Sequence, residues 1–321
     1  MRTWKCVAGV LVVAMAGCVS VPALPRALAR QRLDPELAHH YDYSKVPLQA
    51  AVDSAEEKSG YRIQHLRLAP ANSSEFRPIR LDWYRPTKPG RLPVVLLSPI
   101  LAGNSLYVRE FAGFYAARGM HALIVYRPKE VFSPDRELKD VETHFQESVI
   151  QLRQTIDWLE TQESVDAARI GSYGISLGAI LTTILAAVEP RVKAHVLGLP
   201  AGHIAEIIMA SQDKTIRKRR RAYLEKRGWS RDRGLQELQA VIVSDPLRFA
   251  PGIDPSRVLV IAAIFDRVLG FHRSLELWRA LGKPTLVLLP TGHYTAAFAT
   301  PYLKIVTYSF FKRRLHAILI A

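Results

Sequence analysis

Cysteine is nearly missing from this chain: 321 residues contain two, Cys6 and Cys18, and both sit near the N-terminus. If the segment before Cys18 is removed and Cys18 itself is modified, no thiol remains for a disulfide or a thiolate metal site. Metal-binding patterns are missing too. There is no His-Glu-x-x-His, and the other histidines, the adjacent His39 and His40 included, lack ligand spacing. No metal or cofactor is therefore expected. Internal repeats are absent. So is an acidic surplus: 44 Lys and Arg outnumber 29 Asp and Glu, a net charge of +15. Apolar residues reach 49%, enough for a sizeable core and against disorder of the whole.

The N-terminus sets the expected compartment. Arg2 and Lys5 form a short basic region, and Val7 to Ala16 is an apolar run of signal-peptide length, too short to span a bilayer as a helix. Met15-Ala16-Gly17-Cys18 then resembles a bacterial lipobox, in which small residues precede a cysteine that receives lipid. The resemblance implies residues 1–17 as a lipoprotein signal peptide and Cys18 as a lipidated mature N-terminus. Membrane attachment would run through that anchor. Val19 rather than aspartate follows, which by the sorting pattern of Gram-negative bacteria implies the outer membrane, facing the periplasm. Residues 18–33, punctuated by Pro22, Pro25, Arg26, Arg30 and Arg32, read as a tether without apolar period.

Beyond it the pattern is that of an α/β domain over 34–321. Ile79, Leu81 and Trp83 alternate with Arg80, Asp82 and Tyr84, as in a half-exposed antiparallel strand. Val94–Leu97, Ala122–Val125, Val258–Ile264 and Leu286–Leu289 are short solid apolar runs, suited to parallel strands covered on both faces. Helical spacing over Tyr107–Arg118 and Glu142–Thr161 fills the intervals, and Thr300-Pro301 reads as the cap and first turn of a last helix. The stretch from about 200 to 250 is too long for a plain connection and reads as a structured insertion. Residues 211–234 within it hold ten Lys or Arg against three Asp or Glu, about half the positive surplus left once Arg2 and Lys5 depart. That location, together with export, argues against a nucleic-acid partner. The run Arg217–Arg221 reads first as a solvated face, with anionic lipid headgroups or an acidic substrate as the alternative.

Gly174-Ile175-Ser176-Leu177-Gly178 is a G-x-S-x-G between a short strand pattern, Arg169–Tyr173, and an apolar helix pattern, Ala179–Val188. A sharp strand-to-helix turn crowds its apex, and glycines two before and two after relieve the crowding while the serine hydroxyl projects above the sheet. Serine is a weak nucleophile at neutral pH. It needs an imidazole to take its proton, and that imidazole needs a carboxylate to fix its tautomer.

On these residues the chain resembles the α/β-hydrolase superfamily over about 60–316. The resemblance implies an α/β-hydrolase fold: a mostly parallel central sheet, helices on both faces and a helical cap insertion. Triad members there follow the order nucleophile, acid, histidine. Asp266, directly after the run ending at Phe265, takes the acid position, and His293 in Thr291-Gly292-His293 takes the histidine position. Asp245, Asp254 and His203 are the next candidates. The first two look like turn residues before prolines, and His203 precedes the family's place for the base. The loop Ser98-Pro99-Ile100-Leu101 stands where many members carry His-Gly. Pro99 has no N–H to donate, so the Ile100 amide, with Leu101 as the alternative, pairs with the Leu177 amide as the expected oxyanion hole.

The implied activity is that of a serine esterase acting on a small-molecule or lipid-like acyl substrate through an acyl-enzyme. A peptidase or acyltransferase of the same superfamily, or an inactive binding protein of the envelope, are the alternatives. Ile204 to Met209 could line an acyl pocket or belong to a plain connecting helix pair.

Overall fold

The computed structural model describes residues 19–21, 32–71, 76–100, 106–127 and 135–316. The N-terminal part supplies β1 (Val19–Val21), helix α1 (Pro35–His39), and the antiparallel strands β2 (Gln49–Lys58), β3 (Tyr61–Ala69) and β4 (Ile79–Pro86). Then strand and helix alternate: β5 (Leu92–Ser98), α2 (Leu106–Ala116), β6 (His121–Tyr126), α3 (Lys139–Leu159), β7 (Val165–Ile175), α4 (Leu177–Val188) and β8 (Val192–Gly198). Four helices interrupt the rhythm: α5 (Ile204–Ala210), α6 (Lys214–Arg227), α7 (Arg231–Val241) and α8 (Pro246–Phe249). The pattern resumes with β9 (Val258–Ala263), α9 (Phe271–Ala280), β10 (Thr285–Leu289) and α10 (Thr300–His316).

All ten strands share one sheet in the order β1-β10-β9-β8-β7-β5-β6-β4-β3-β2. β5 to β10 run parallel, and β1 to β4 add antiparallel edges. The solid apolar runs are solid because both faces are covered. In β9, Val258, Val260 and Ala262 pack towards α4 and α9, while Leu259, Ile261 and Ala263 pack towards α10. Period-2 side-chain direction delivers alternate residues to opposite layers, so neither set tolerates polar groups. α3 and α4 cover one face with the helices of the interruption; α2 and α10 cover the other. The fold is α/β with helices on both faces.

Three expectations need correction. The stretch 18–33 is not tether throughout, because Val19–Val21 forms a strand against β10. β4 is not half-exposed: Asp82 and Tyr84 are buried, Tyr84 among the side chains of α2 and Asp82 bonded to His65 (2.6 Å) and Tyr126 (2.7 Å). Thr300 lies inside the last helix, which a 3-10 turn, Thr295–Ala299, leads into.

One buried carboxylate ties the N-terminal segment and the link between α7 and α8 to α3. Glu142 accepts from the amides of Val243 (2.9 Å) and Ser244 (3.0 Å), from the Ser244 hydroxyl (2.6 Å), and pairs with His40 Nε2 (2.8 Å). Every lone pair is occupied, which is what a carboxylate removed from water requires.

Candidate active site

The parallel strands all end at one edge of the sheet, and the loops leaving β5, β7, β9 and β10 converge there. The turn from β7 to α4 is the tightest. Ser176 at its apex holds φ 55° and ψ −117°, outside the territory of ordinary L-residues. Such a conformation costs about 1–3 kcal/mol and survives only where the surroundings impose it. They do so here by proximity: the Ser176 amide donates to Gly198 O at 2.8 Å. A Cβ on Gly174 would lie 2.0 Å from Gly178 O, and one on Gly178 would lie 2.0 Å from Ser98 O. The two flanking glycines are therefore required by contact, and the second lets the turn press against the loop after β5.

Ser176 Oγ stands 3.1 Å from His293 Nε2, and His293 Nδ1 stands 2.8 Å from Asp266 Oδ2. Asp266 is buried, and its other oxygen accepts from the amides of Val268 (2.8 Å) and Leu269 (3.0 Å). The turn-capping role and the histidine-orienting role thus coexist on one carboxylate. Burial pushes the Asp266 carboxyl up, but the hydrogen bond and charge of His293, with the two amides, outweigh it and hold the carboxyl below its ordinary range. A charged, fully bonded acceptor fixes the imidazole with Nδ1 as the donor and Nε2 free to accept from the serine.

The remaining candidates fall elsewhere. Asp245 caps α8 through the Leu247 amide (3.0 Å) and takes the Ile204 amide (2.8 Å); Asp254 accepts from the Ser256 amide (2.9 Å). His203 pairs with Glu276 at 3.0 Å instead of approaching the serine. Ile204, Ala205, Ile207 and Met209 are buried in packing contacts, Ile207 in a cluster with Leu269. Leu177 is the first residue of α4, so its amide has no acceptor within the helix. Ile100 closes the described part of the loop after β5; Leu101 and Cys18 lie outside the described residues.

Two features escaped the sequence reading. Arg127, just past β6, is 9% exposed and donates from Nη1 to Pro99 O at 2.8 Å and from Nη2 to Ile100 O. Its Nε has no partner, and burial pushes its pKa down to about 10. A cation is spent on two main-chain carbonyls, with no carboxylate among its hydrogen-bond partners in the described residues. The signal in sequence is a lone arginine directly after a solid apolar strand. The second feature is Tyr294, beside His293, whose hydroxyl donates to Asp213, the N-cap of α6. Asp213 also accepts from Thr215 (2.9 Å) and Ile216 (3.0 Å) amides. The histidine loop is thereby fastened to the basic helix.

No family model matches the chain. It is 25% identical over 167 residues to uncharacterized proteins from two strains of Mycobacterium tuberculosis, a match covering 52% of this chain and 38% of theirs. The chain therefore spans well under half the length of these curated relatives. Among solved structures it is similar to an acetyl xylan esterase of a Paenibacillus species (TM-score 0.65, 17% identity, 87% of this chain and 92% of that one). It is also similar to acetyl xylan esterase 1 of a Thermoanaerobacterium species (TM-score 0.62, 16% identity, 80% and 86%). A third is an alpha/beta hydrolase of a Penicillium species (TM-score 0.59, 15% identity, 79% and 99%). These likenesses establish the α/β-hydrolase fold, and at such identities the fold alone.

Proposed function

We propose that the protein is a serine hydrolase that cleaves an ester or related acyl bond through an acyl-enzyme. The reading rests on one observation above others: the unbroken relay Ser176 Oγ, His293, Asp266 at 3.1 and 2.8 Å. Ser176 Oγ attacks the substrate carbonyl carbon while His293 Nε2 takes its proton. The developing oxyanion receives the amides of Ile100 and Leu177, the latter at the N-terminus of α4, whose dipole favours negative charge. Collapse breaks the acyl bond, and His293 returns the proton to the leaving group. Water, deprotonated by His293, then releases the acid and restores Ser176. Asp266 keeps the ring oriented and stabilises the imidazolium in both halves. The esterases with similar folds support ester over amide chemistry.

The same reading places the protein in the cell envelope, held by lipid on Cys18 after removal of residues 1–17. The lipobox-like Met15-Ala16-Gly17-Cys18 supports it. A fluorophosphonate probe tests the chemistry. Stoichiometric labelling of the wild type that disappears in Ser176→Ala is the expected result. Folded wild type that resists the probe and hydrolyses no short-chain aryl ester would exclude it. Metabolic labelling with a fatty-acid analogue, lost in Cys18→Ser, tests the anchor.

A further inference from the structure

Among the described residues, the end of the sheet that carries Ser176 also carries five of the seven exposed large apolar side chains. Among the described residues seven large apolar side chains stand out in water. Val46 and Val52 are two of them; the other five are Leu106 (71% exposed), Phe265 (63%), Tyr294 (65%), Phe298 (72%) and Ile305 (59%). Phe265 immediately precedes Asp266, and Tyr294 immediately follows His293. Phe298 lies in the 3-10 turn after them, and Ile305 in the second turn of α10. Leu106 opens α2, next to Tyr107, whose hydroxyl reaches Ala296 O at 3.5 Å and so joins that helix to the same turn. A concentration of aromatic and aliphatic side chains at one end of the sheet marks an interaction surface, because single scattered ones would be distributed over the molecule.

Its charge surroundings are specific. α6 crosses the same end of the molecule. Its N-cap Asp213 is bonded to Tyr294, while Lys226 and Arg227 near its other end reach Asp135 (2.7 Å) and Arg136 O (2.8 Å), just before α3. Lys214, Arg217 and Lys218 on this helix are exposed and have no carboxylate partner among the described residues. Aromatic residues beside unpaired cations match the headgroup zone of an anionic bilayer.

The direction of β1 supplies a third, separate observation. Val19 pairs with Leu288 and Val21 with Leu286, antiparallel. Val19, the first described residue of β1, therefore stands opposite the carboxyl end of β10, the end from which the His293 loop departs. An acyl chain on the residue before Val19 would be attached at that end of the sheet.

We propose that this face, with Phe265, Tyr294 and Phe298 on the loops that carry Asp266 and His293 and α6 beside them, lies on a phospholipid bilayer bearing anionic headgroups, so that acyl substrate reaches Ser176 from the lipid side. The inference rests on the anchor reading above and adds an orientation to it. The test uses the full-length lipidated protein in vesicles of phosphatidylcholine and phosphatidylglycerol containing lipid with a nitroxide on its acyl chain. With Cys6 removed and Cys18 acylated, a single introduced cysteine takes a fluorophore cleanly. Phe298→Cys probes the rim; Lys88→Cys, in the turn before β5, probes the opposite end of the sheet.

The expected result is several-fold stronger quenching at 298 than at 88. It should weaken in vesicles of phosphatidylcholine alone and in Lys214→Glu/Arg217→Glu/Lys218→Glu. Equal quenching at both positions in protein that floats with the vesicles overturns the orientation and leaves the anchor standing. Protein that does not float at all overturns both. A dimer by size with no quenching at 298 assigns the rim to a second copy of the chain and likewise overturns the proposal. Fluorophosphonate labelling of the same samples reports the hydrolase chemistry independently.

Discussion

Arg127 holds the carbonyl oxygen of Pro99 at 2.8 Å, and this one bond fixes the direction of the next amide. A trans peptide sets its N–H opposite its C=O, so the Ile100 N–H is turned away from the guanidinium. The second bond takes Ile100 O. A loop that lacks the usual His-Gly is given its shape by a buried cation from the neighbouring strand end.

Arg127→Met is expected to lower kcat by about 100-fold with KM within about threefold, the range for losing one aligned oxyanion donor. Arg127→Lys, which keeps the charge but not the two-pronged donor, is expected to recover only part of it. Stability is expected to move little, since removing a buried cation without a carboxylate partner offsets the two lost bonds. Steady-state kinetics alongside thermal melts separate the two effects; unchanged kcat in a folded Arg127→Met would detach Arg127 from catalysis.

Gly178→Ala tests the turn itself. The added methyl must sit 2.0 Å from Ser98 O, a main-chain atom that cannot swing aside. Either the loop after β5 or the start of α4 has to move. A loss of about 3 kcal/mol or more in denaturant unfolding is expected, at the severe end of overpacking. The probe should fail to label whatever folded fraction remains.

The convergence of Ser176, His293 and Asp266 was legible because each is tied to a local pattern: glycines around Ser176, a solid strand before Asp266, another before His293. The sheet's centre was legible for the same reason, its strands being apolar on both faces. What escaped was wet or distant. β2 reads Gln-Ala-Ala-Val-Asp-Ser-Ala-Glu-Glu-Lys and is exposed along its whole length, so no alternation marks it; only its pairing with β3 makes it a strand. β1 is three residues long and exists through β10. Asp82 looked solvent-facing because its partners, His65 and Tyr126, lie 17 and 44 residues away. Arg127 is a single letter whose meaning depends on carbonyls 27 and 28 residues earlier.

Asp266 should show a pH signature. Its carboxyl titrates lower in the folded protein than in the unfolded chain. The charged form therefore contributes stability above the ordinary carboxylate pKa of about 3.9, and the contribution disappears as pH falls through the lowered folded value. Wild type should exceed Asp266→Asn in unfolding free energy at pH 7, with the gap closing only in acid below that range. At neutral pH the same variant should lose about 1,000-fold or more in kcat, because the amide no longer enforces the working tautomer. A stability gap constant from pH 7 to pH 3 would contradict the assigned direction.

Glu142→Ala leaves the amides of Val243 and Ser244 and the Ser244 hydroxyl without their acceptor in a buried place. The expected cost is about 3 kcal/mol or more by chemical denaturation. Because the carboxylate joins α3 to the link between α7 and α8, limited proteolysis should cut first near residues 241–245.

The tie between Tyr294 and Asp213 permits a finer experiment, since Asp213 serves two structures at once. It caps α6 through the Thr215 and Ile216 amides and accepts the Tyr294 hydroxyl. Tyr294→Phe removes only the tie. Asp213→Ala removes the tie and the cap, and the cap alone contributes about 1 kcal/mol. Amide exchange at Thr215 and Ile216 should therefore quicken roughly fivefold in Asp213→Ala and much less in Tyr294→Phe. Catalysis should respond differently. If the tie steadies the loop that carries His293, both variants lower kcat by the same factor and the double variant lowers it no further, the signature of residues acting through one interaction. Additive losses would mean that Tyr294 and Asp213 reach the site separately, Tyr294 through the apolar rim and Asp213 through the helix it caps.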